Sequence, residues 1–259
     1  MTVHGKERPT VVFTRPCQDA NALVTGSSRG IGRAIAERLG ADGANVVINY
    51  RSNAAAADTV VSAIERTGGK ATALQADVAR PEEVRGLFEN AERLYGLQDI
   101  VVHCAGITRF APIADAIDED YDALFDTNTR STFATLREAA TRLRDDGRIV
   151  VISSGAAVST RPGSSLYAAS KAASDQMVRV VAQELAPRGI TVNSVLPGPT
   201  RTETVAATLP PEQAETVIAA IPLGRLGEPA DIADIVAFLA SNGSRWITGQ
   251  TIHAGGGMF

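Results

Sequence analysis

From Asn21 onward, short apolar runs alternate with stretches of helical period. Ala22-Leu23-Val24 reads as a strand followed by a glycine-rich turn, and Ile31, Ile35 and Leu39 then recur on one helical face. Val46-Val47-Ile48 is a second strand. Ala57, Val60, Val61 and Ile64 mark a helix that Gly68-Gly69 ends. A third strand near Ala71–Ala76 precedes a helix opened by Pro81, with Val84, Leu87, Phe88, Ala91 and Leu94 on one side. Ile100-Val101-Val102 is the fourth strand. A long helix near Tyr121–Arg144 carries Phe133, Leu136, Ala140 and Leu143, and Ile149–Ile152 is the fifth strand. A second long helix spans about Ser165–Ala186, where Pro187 stops it. Ile190–Leu196 is the sixth strand. Residues 198–225, with four prolines, form the longest irregular stretch, as binding loops and lids do. Ile232, Ile235, Val236 and Leu239 give the last helix and Gln250–His253 the last strand.

Continuous apolar strands imply a sheet covered on both faces. Their alternation with helices implies an α/β fold, a doubly wound parallel sheet of seven strands in one domain over residues 21–259. Residues 1–20 show no periodicity and are expected to form a mobile N-terminal extension. In such sheets ligands sit beyond the carboxyl ends of the strands, where strand order reverses. Candidate chemistry is therefore expected just after each strand.

Composition narrows the partners. The chain has 259 residues, 44% of them hydrophobic, which suits one large core. A net charge of −4 favours neither nucleic acid nor an anionic membrane. Cys17 and Cys104 are too few for a disulfide framework, and no metal-type Cys/His spacing occurs. No apolar run approaches the roughly 18 residues of a membrane span. Val11-Val12-Phe13 is too short for a signal-peptide apolar region, so a cytoplasmic location is expected.

After the first strand comes Thr25-Gly26-Ser27-Ser28-Arg29-Gly30-Ile31-Gly32. Glycines permit a tight turn and a close backbone approach, and the following helix offers free N–H groups to a pyrophosphate. The second strand ends in Tyr50-Arg51-Ser52, without the carboxylate that would bind a ribose diol and repel a 2′-phosphate. Arg29 and Arg51 suit a phosphate instead. Asp77 after the third strand is placed to accept from an adenine amino group or to cap the helix near Pro81.

Tyr167 and Lys171 stand four apart, so a helix places them on one face. An ammonium there favours tyrosinate and is expected to lower the phenol pKa, which makes the phenol an acid–base group near neutrality. Ser154, thirteen residues before Tyr167, offers a hydroxyl to a substrate oxygen. Strand alternation turns Ser153 the other way.

The Thr-Gly-x-x-x-Gly-x-Gly turn, Asn128, Ser154 and Tyr167-Ala168-Ala169-Ser170-Lys171 together resemble the short-chain dehydrogenase/reductase family over roughly Ala22 to Gly257. The resemblance is to its 3-oxoacyl-carrier-protein reductase-like members. It implies a Rossmann-type fold and an NADP(H)-dependent oxidoreductase. The expected activity is reduction of a ketone, a 3-oxoacyl thioester included, to a secondary alcohol. Oxidation of an alcohol or sugar, or cofactor binding without turnover, are the alternatives. It implies catalytic roles for Asn128, Ser154, Tyr167 and Lys171. Tyr167 would be the proton donor, Lys171 would also bind the nicotinamide ribose, and Asn128 would hold a water that links Lys171 to solvent. It implies cofactor contacts from Gly26, Ser28, Arg29, Gly30 and Ile31, from Tyr50, Arg51 and Ser52, and from Asp77 and Val78. Cys104, Ala105 and Gly106 after the fourth strand, with Pro197, Gly198, Thr200 and Thr202 after the sixth, complete the set. No metal is implied. Members of this family usually pair through the two long helices, so a homodimer or homotetramer is expected. His103-Cys104 replaces the family's usual Asn-Asn, and both are read as structural residues. Asn21 stands where the first strand should carry an apolar residue.

Overall fold

The computed structural model describes residues 16–208 and 210–259. Among these residues seven parallel strands form one sheet: β1 Asn21–Thr25, β2 Asn45–Tyr50, β3 Lys70–Gln75, β4 Gln98–His103, β5 Leu143–Ile152, β6 Thr191–Pro197 and β7 Thr251–Ala254. Their order is β3-β2-β1-β4-β5-β6-β7, so the chain reverses its direction of winding between β1 and β4. The expected doubly wound sheet is present.

Strand alternation divides the core into two layers. Val24, Ile48, Val102 and Val150 face α1 (Gly30–Ala41), α2 (Ala54–Arg66) and a late helix at Pro229–Ala240. Leu23, Val47, Val101 and Ile149 face α3 (Pro81–Tyr95) and two helices at Ser131–Arg142 and Ser165–Leu185. Burying whole Val, Leu or Ile side chains on both faces contributes about 1.5–3 kcal/mol each. This is why the strands read as unbroken apolar runs.

Several boundaries differ from the sequence pattern. The long helix expected over Tyr121–Arg144 is three pieces: α4 Asp118–Leu124, a π-helical turn Phe125–Arg130, and α5 Ser131–Arg142. Leu143 already belongs to β5, where it pairs with Gln98. Leu94 on α3 is 47% exposed rather than part of the apolar face. Helix α6 is Ser165–Leu185, one residue shorter than expected, because Ala186–Arg188 tightens into a 3₁₀ turn. The stretch 198–225 is not wholly irregular: it holds α7 Glu203–Thr208 and α8 Pro211–Ala219 before α9 Pro229–Ala240. Pro211 occupies the first turn of α8, where a missing N–H costs nothing.

At the start of the chain, residues 1–15 of the expected extension lie outside the described residues. Residues 16–20 do not hang free. Cys17 is buried against the α1 side of the core and its N–H donates to Asp42 O at 3.0 Å. Asn21 earns its burial by hydrogen bonding: Nδ2 donates to Leu97 O at 3.1 Å, and Oδ1 accepts from Asn45 Nδ2 at 3.0 Å. A polar side chain thus joins β1, β2 and the α3–β4 turn. No helix among the described residues is long and apolar enough to cross a membrane.

Candidate active site

The glycine-rich turn leaves β1 at the point where winding reverses. Gly26 has φ +62°, and a Cβ there would stand 2.8 Å from Ala105 Cα. Only glycine fits both the left-handed backbone and the close approach of the β4 loop. Thr25 Oγ1 accepts from the N–H groups of Cys104 at 3.1 Å and Ala105 at 3.2 Å, fixing the two strand ends together. Arg29 caps α1 with extended backbone and no side-chain cap bond, and the first turn of α1 carries no acid. The free N–H groups and positive dipole end of α1 are therefore available to a phosphate.

Asn49 holds this turn from the side. Its Oδ1 accepts from Gly26 N at 3.1 Å, and its Nδ2 donates to Ala76 O at 3.1 Å. Its main-chain N–H and C=O pair with Ser27, at 3.0 Å each. One buried amide thus aligns the ends of β1, β2 and β3. The sequence pattern gave it no role. The available signal was a polar residue within an otherwise apolar strand.

The other expected cofactor residues ring the same crevice. Arg29, Arg51 and Ser52 are exposed, Ser28, Ile31 and Tyr50 half-buried, and neither arginine forms an ion pair among the described residues. Asp77 Oδ1 accepts from Ala79 N at 3.1 Å, and its own N–H donates to Glu83 Oε2 at 2.6 Å. Asp77 therefore shapes the turn ahead of α3. Val78 is buried in the α3 layer. A Cβ on Gly30 would stand 3.4 Å from Thr202 Cγ2, so the loop after β6 passes over the phosphate turn. Within that loop Thr200 Oγ1 donates to Gly198 O at 2.9 Å, Thr202 Oγ1 accepts from Val205 N at 3.2 Å, and buried Pro197 closes β6.

The four residues expected to act in catalysis converge on Gly106 and the end of β5. Asn128, fully buried in the π turn, accepts from Ile107 N at 2.9 Å through Oδ1. Its Nδ2 donates to Ile107 O and to Ser170 Oγ, at 3.0 Å each. Lys171 Nζ donates to Ile152 O at 3.0 Å. A Cβ on Gly106 would stand 3.1 Å from both Asn128 Oδ1 and Lys171 Nζ, so the glycine lets these two side chains close around it. Tyr167 lies on α6 one turn before Lys171, with the Ser154 hydroxyl close enough to act on its phenol. Ser154 precedes a 3₁₀ turn, Gly155–Ala157, and its Oγ accepts from Ala156 N at 3.2 Å. Ser153 Oγ donates to Asp175 Oδ2 at 2.9 Å, one helical turn beyond Lys171.

Burial governs the electrostatics. It pushes the Tyr167 phenol above its ordinary value, and the neighbouring Ser154 hydroxyl opposes this. The expected lowering by Lys171 is not found: burial raises the phenol, and Lys171 is not among the groups that shift it. Burial also lowers Lys171, opposed by Cys104 and Asp175. His103 is pushed down to about 3 by burial and by the charge on Lys171. Its ring contacts Thr25, Ser131 and Thr135 hydroxyls at 3.0–3.1 Å. It is a neutral, hydrogen-bonded core residue. The Cys104 thiol is pushed up to about 12 by burial, so it carries no thiolate near neutrality. Both match the structural reading.

These residues fit a dinucleotide: a glycine cradle at a bare helix N-terminus, a crevice at the strand reversal, and an acid–base group at its far end. A family model described as enoyl-(acyl carrier protein) reductase matches residues 26–259. An NADPH-dependent aldehyde reductase-like protein of Arabidopsis thaliana, chloroplastic, is 43% identical over 250 residues, covering 91% of this chain and 93% of that protein. A hydroxynaphthalene reductase-like protein of Metarhizium brunneum is 43% identical over 249 residues, covering 91% and 93%. Among solved structures, a short-chain dehydrogenase of Burkholderia cenocepacia in complex with NADP superposes with a TM-score of 0.90 at 40% identity, covering 94% of this chain and 99% of that one. The chain belongs to the short-chain dehydrogenase/reductase family and is an oxidoreductase.

Replacing Asn49 by Ala strands the Gly26 N–H and the Ala76 C=O. Each buried group left without a partner costs about 1–3 kcal/mol. Asn49→Ala should lower the melting temperature by about 4–12 °C and weaken NADPH binding about tenfold. A thermal melt and a fluorescence titration that both match wild type would show that Asn49 does not hold the turn.

Proposed function

We propose that the protein reduces a ketone to a secondary alcohol with NADPH, Tyr167 being the proton donor. The observation that carries this reading is the convergence of three side chains: Lys171 Nζ is bonded to Ile152 O, two residues before Ser154, and Tyr167 lies one helical turn from Lys171 on the same buried face of α6. Two hydroxyls brought to one strand end suit a single carbonyl oxygen placed between them. The nicotinamide supplies the hydride. Ser154 orients and polarises the carbonyl. Tyr167 gives its proton to the oxygen as negative charge develops there, and the Lys171 ammonium stabilises the resulting tyrosinate. A phenol held above its ordinary pKa is protonated at neutral pH, the state a reductase needs.

NADP(H) rather than NAD(H) follows from charge. Arg29 and Arg51 flank the position of the adenosine ribose, and the end of β2 supplies no carboxylate there. The Arabidopsis relative is named NADPH-dependent and the Burkholderia structure contains NADP.

The substrate side favours a planar aromatic ketone over a 3-oxoacyl thioester. Phe110, 53% exposed, stands edge-on to Tyr167 with ring centroids 5.6 Å apart. The Arg161 guanidinium lies 5.1 Å from the Phe110 ring centroid. An open aromatic face beside the proton donor suits stacking of a flat ring, and the guanidinium suits an acidic oxygen on it. The name of the Metarhizium relative is in keeping with such a substrate.

Three outcomes test this reading. Tyr167→Phe should retain NADPH binding and lose about 10²–10⁴-fold in kcat; a purified variant with undiminished turnover removes Tyr167 from the mechanism. Arg51→Asp should shift the NADPH/NADH ratio of kcat/KM toward NADH by about 10- to 100-fold, and an unchanged ratio would show that Arg51 is not a phosphate ligand. Phe110→Ala should raise KM about five- to tenfold for aryl ketones and leave short aliphatic ketones unaffected. Equal changes for both classes would refute the stacking role.

A further inference from the structure

Three consecutive residues at the end of β5 meet three residues of α6 spaced four apart. Ile152 O accepts from Lys171 Nζ at 3.0 Å. Ser153 Oγ donates to Asp175 Oδ2 at 2.9 Å. The Ser154 hydroxyl lies close enough to the Tyr167 phenol to oppose the rise in its pKa. Positions 167, 171 and 175 share one helical face, and all three side chains are buried. The first and last of these contacts belong to the site described above. The middle one is not explained by it.

Asp175 is 4% exposed, and its Oδ1 has no hydrogen-bond partner. Further along α6, Val178, Ala182 and Leu185 are buried in an apolar layer. A carboxylate among such neighbours loses its hydration, and one hydrogen bond from Ser153 does not fully replace it. The charges facing it are Lys171 and Arg179 on its own helix, with Ser153 of the β5 end and Ser194 of β6 beside it. The bond from Ser153 fixes the turn of chain that immediately presents Ser154.

We infer that Asp175 is a positioning residue for carbonyl reduction: through Ser153 it sets the register of the β5 end against α6, and so aligns the Ser154 hydroxyl with Tyr167. The inference rests on the carbonyl-reductase reading. Without the Ser153–Asp175 bond, the bond from Lys171 Nζ to Ile152 O is the one hydrogen bond left between this strand end and α6 among the described residues. Small displacements of a group that must meet a developing charge are felt in the chemical step more than in binding.

The test uses the full chain, the ketone it reduces best, and three single variants. Ser153→Ala and Asp175→Ala should each lower kcat about tenfold, with substrate KM and NADPH Kd within twofold of wild type. The double variant should fall no further than the worse single, because both remove one bond. Asp175→Asn should keep kcat within twofold, since its amide oxygen accepts the same bond from Ser153. If Asp175→Ala does not fold, Ser153→Ala and Asp175→Asn carry the test. Wild-type kcat in Ser153→Ala, an Asp175→Asn variant with the tenfold loss, or a parallel loss of NADPH affinity and melting temperature with kcat would each overturn the inference. If instead wild type and Tyr167→Phe reduce ketones equally, the proposed reaction fails. An inactive Tyr167→Phe beside a fully active Ser153→Ala defeats only the role of Asp175.

Discussion

The closure of the β1 end onto the β4 end is the constraint on which the site depends. The sheet winds outward in both directions from this pair of strands, so their carboxyl ends border an open crevice. Thr25 spans it with one hydroxyl that accepts two main-chain N–H groups. The geometry then leaves no room for a side chain at residue 26, because Ala105 is already there. The phosphate turn, the bare start of α1 and the approach of the β4 loop are thus consequences of one packed junction. Below it, His103 fills the space between Thr25 and the helix α5 with a neutral ring rather than a charge.

A second constraint acts on the other side of the crevice. Asn128 reaches the β4 loop because the helix widens into a π turn at Phe125–Arg130. An uninterrupted α-helix would keep its side chains in a 3.6-residue pattern, and π turns are frequent where a functional side chain is re-aimed. Asn128 holds Ile107 by both main-chain groups and Ser170 on α6. The loop carrying Gly106 is thereby pinned against the helix carrying Tyr167 and Lys171. Gly106 must be glycine for Lys171 and Asn128 to lie as close as they do.

The sequence made the layers legible because strands such as Val46-Val47-Ile48 and Ile149–Ile152 are apolar on both faces. Period alone distinguishes them from amphipathic helices such as α3. It also made visible the residues whose type is forced by chemistry: Tyr167, Lys171 and the glycines of the first turn. What it hid depends on three-dimensional partners. The π turn has no periodic signature, since Thr127-Asn128-Thr129 reads equally well as helix. Asn21 and Asn49 look like faults in strands until their partners, up to 78 positions away along the chain, come into view. Phe110 has no periodic context, and its relation to Tyr167 exists only after the β4 loop folds back. Leu94 and Phe133 show the converse, apolar residues in helical register that remain about half exposed.

The same burial that defines the site also sets its chemical bias. Tyr167, Lys171 and Asp175 occupy one face of α6 and are each withdrawn from water, which opposes the charged form of all three. A neutral phenol beside a cationic amine is the pairing that stores a proton for delivery to an oxygen acquiring charge. The dipole of the Ile152 carbonyl faces the amine and accepts from it at 3.0 Å. The burial of Tyr167, Lys171 and Asp175 is therefore one electrostatic arrangement on one helical face, two of the three residues being bonded to the end of β5.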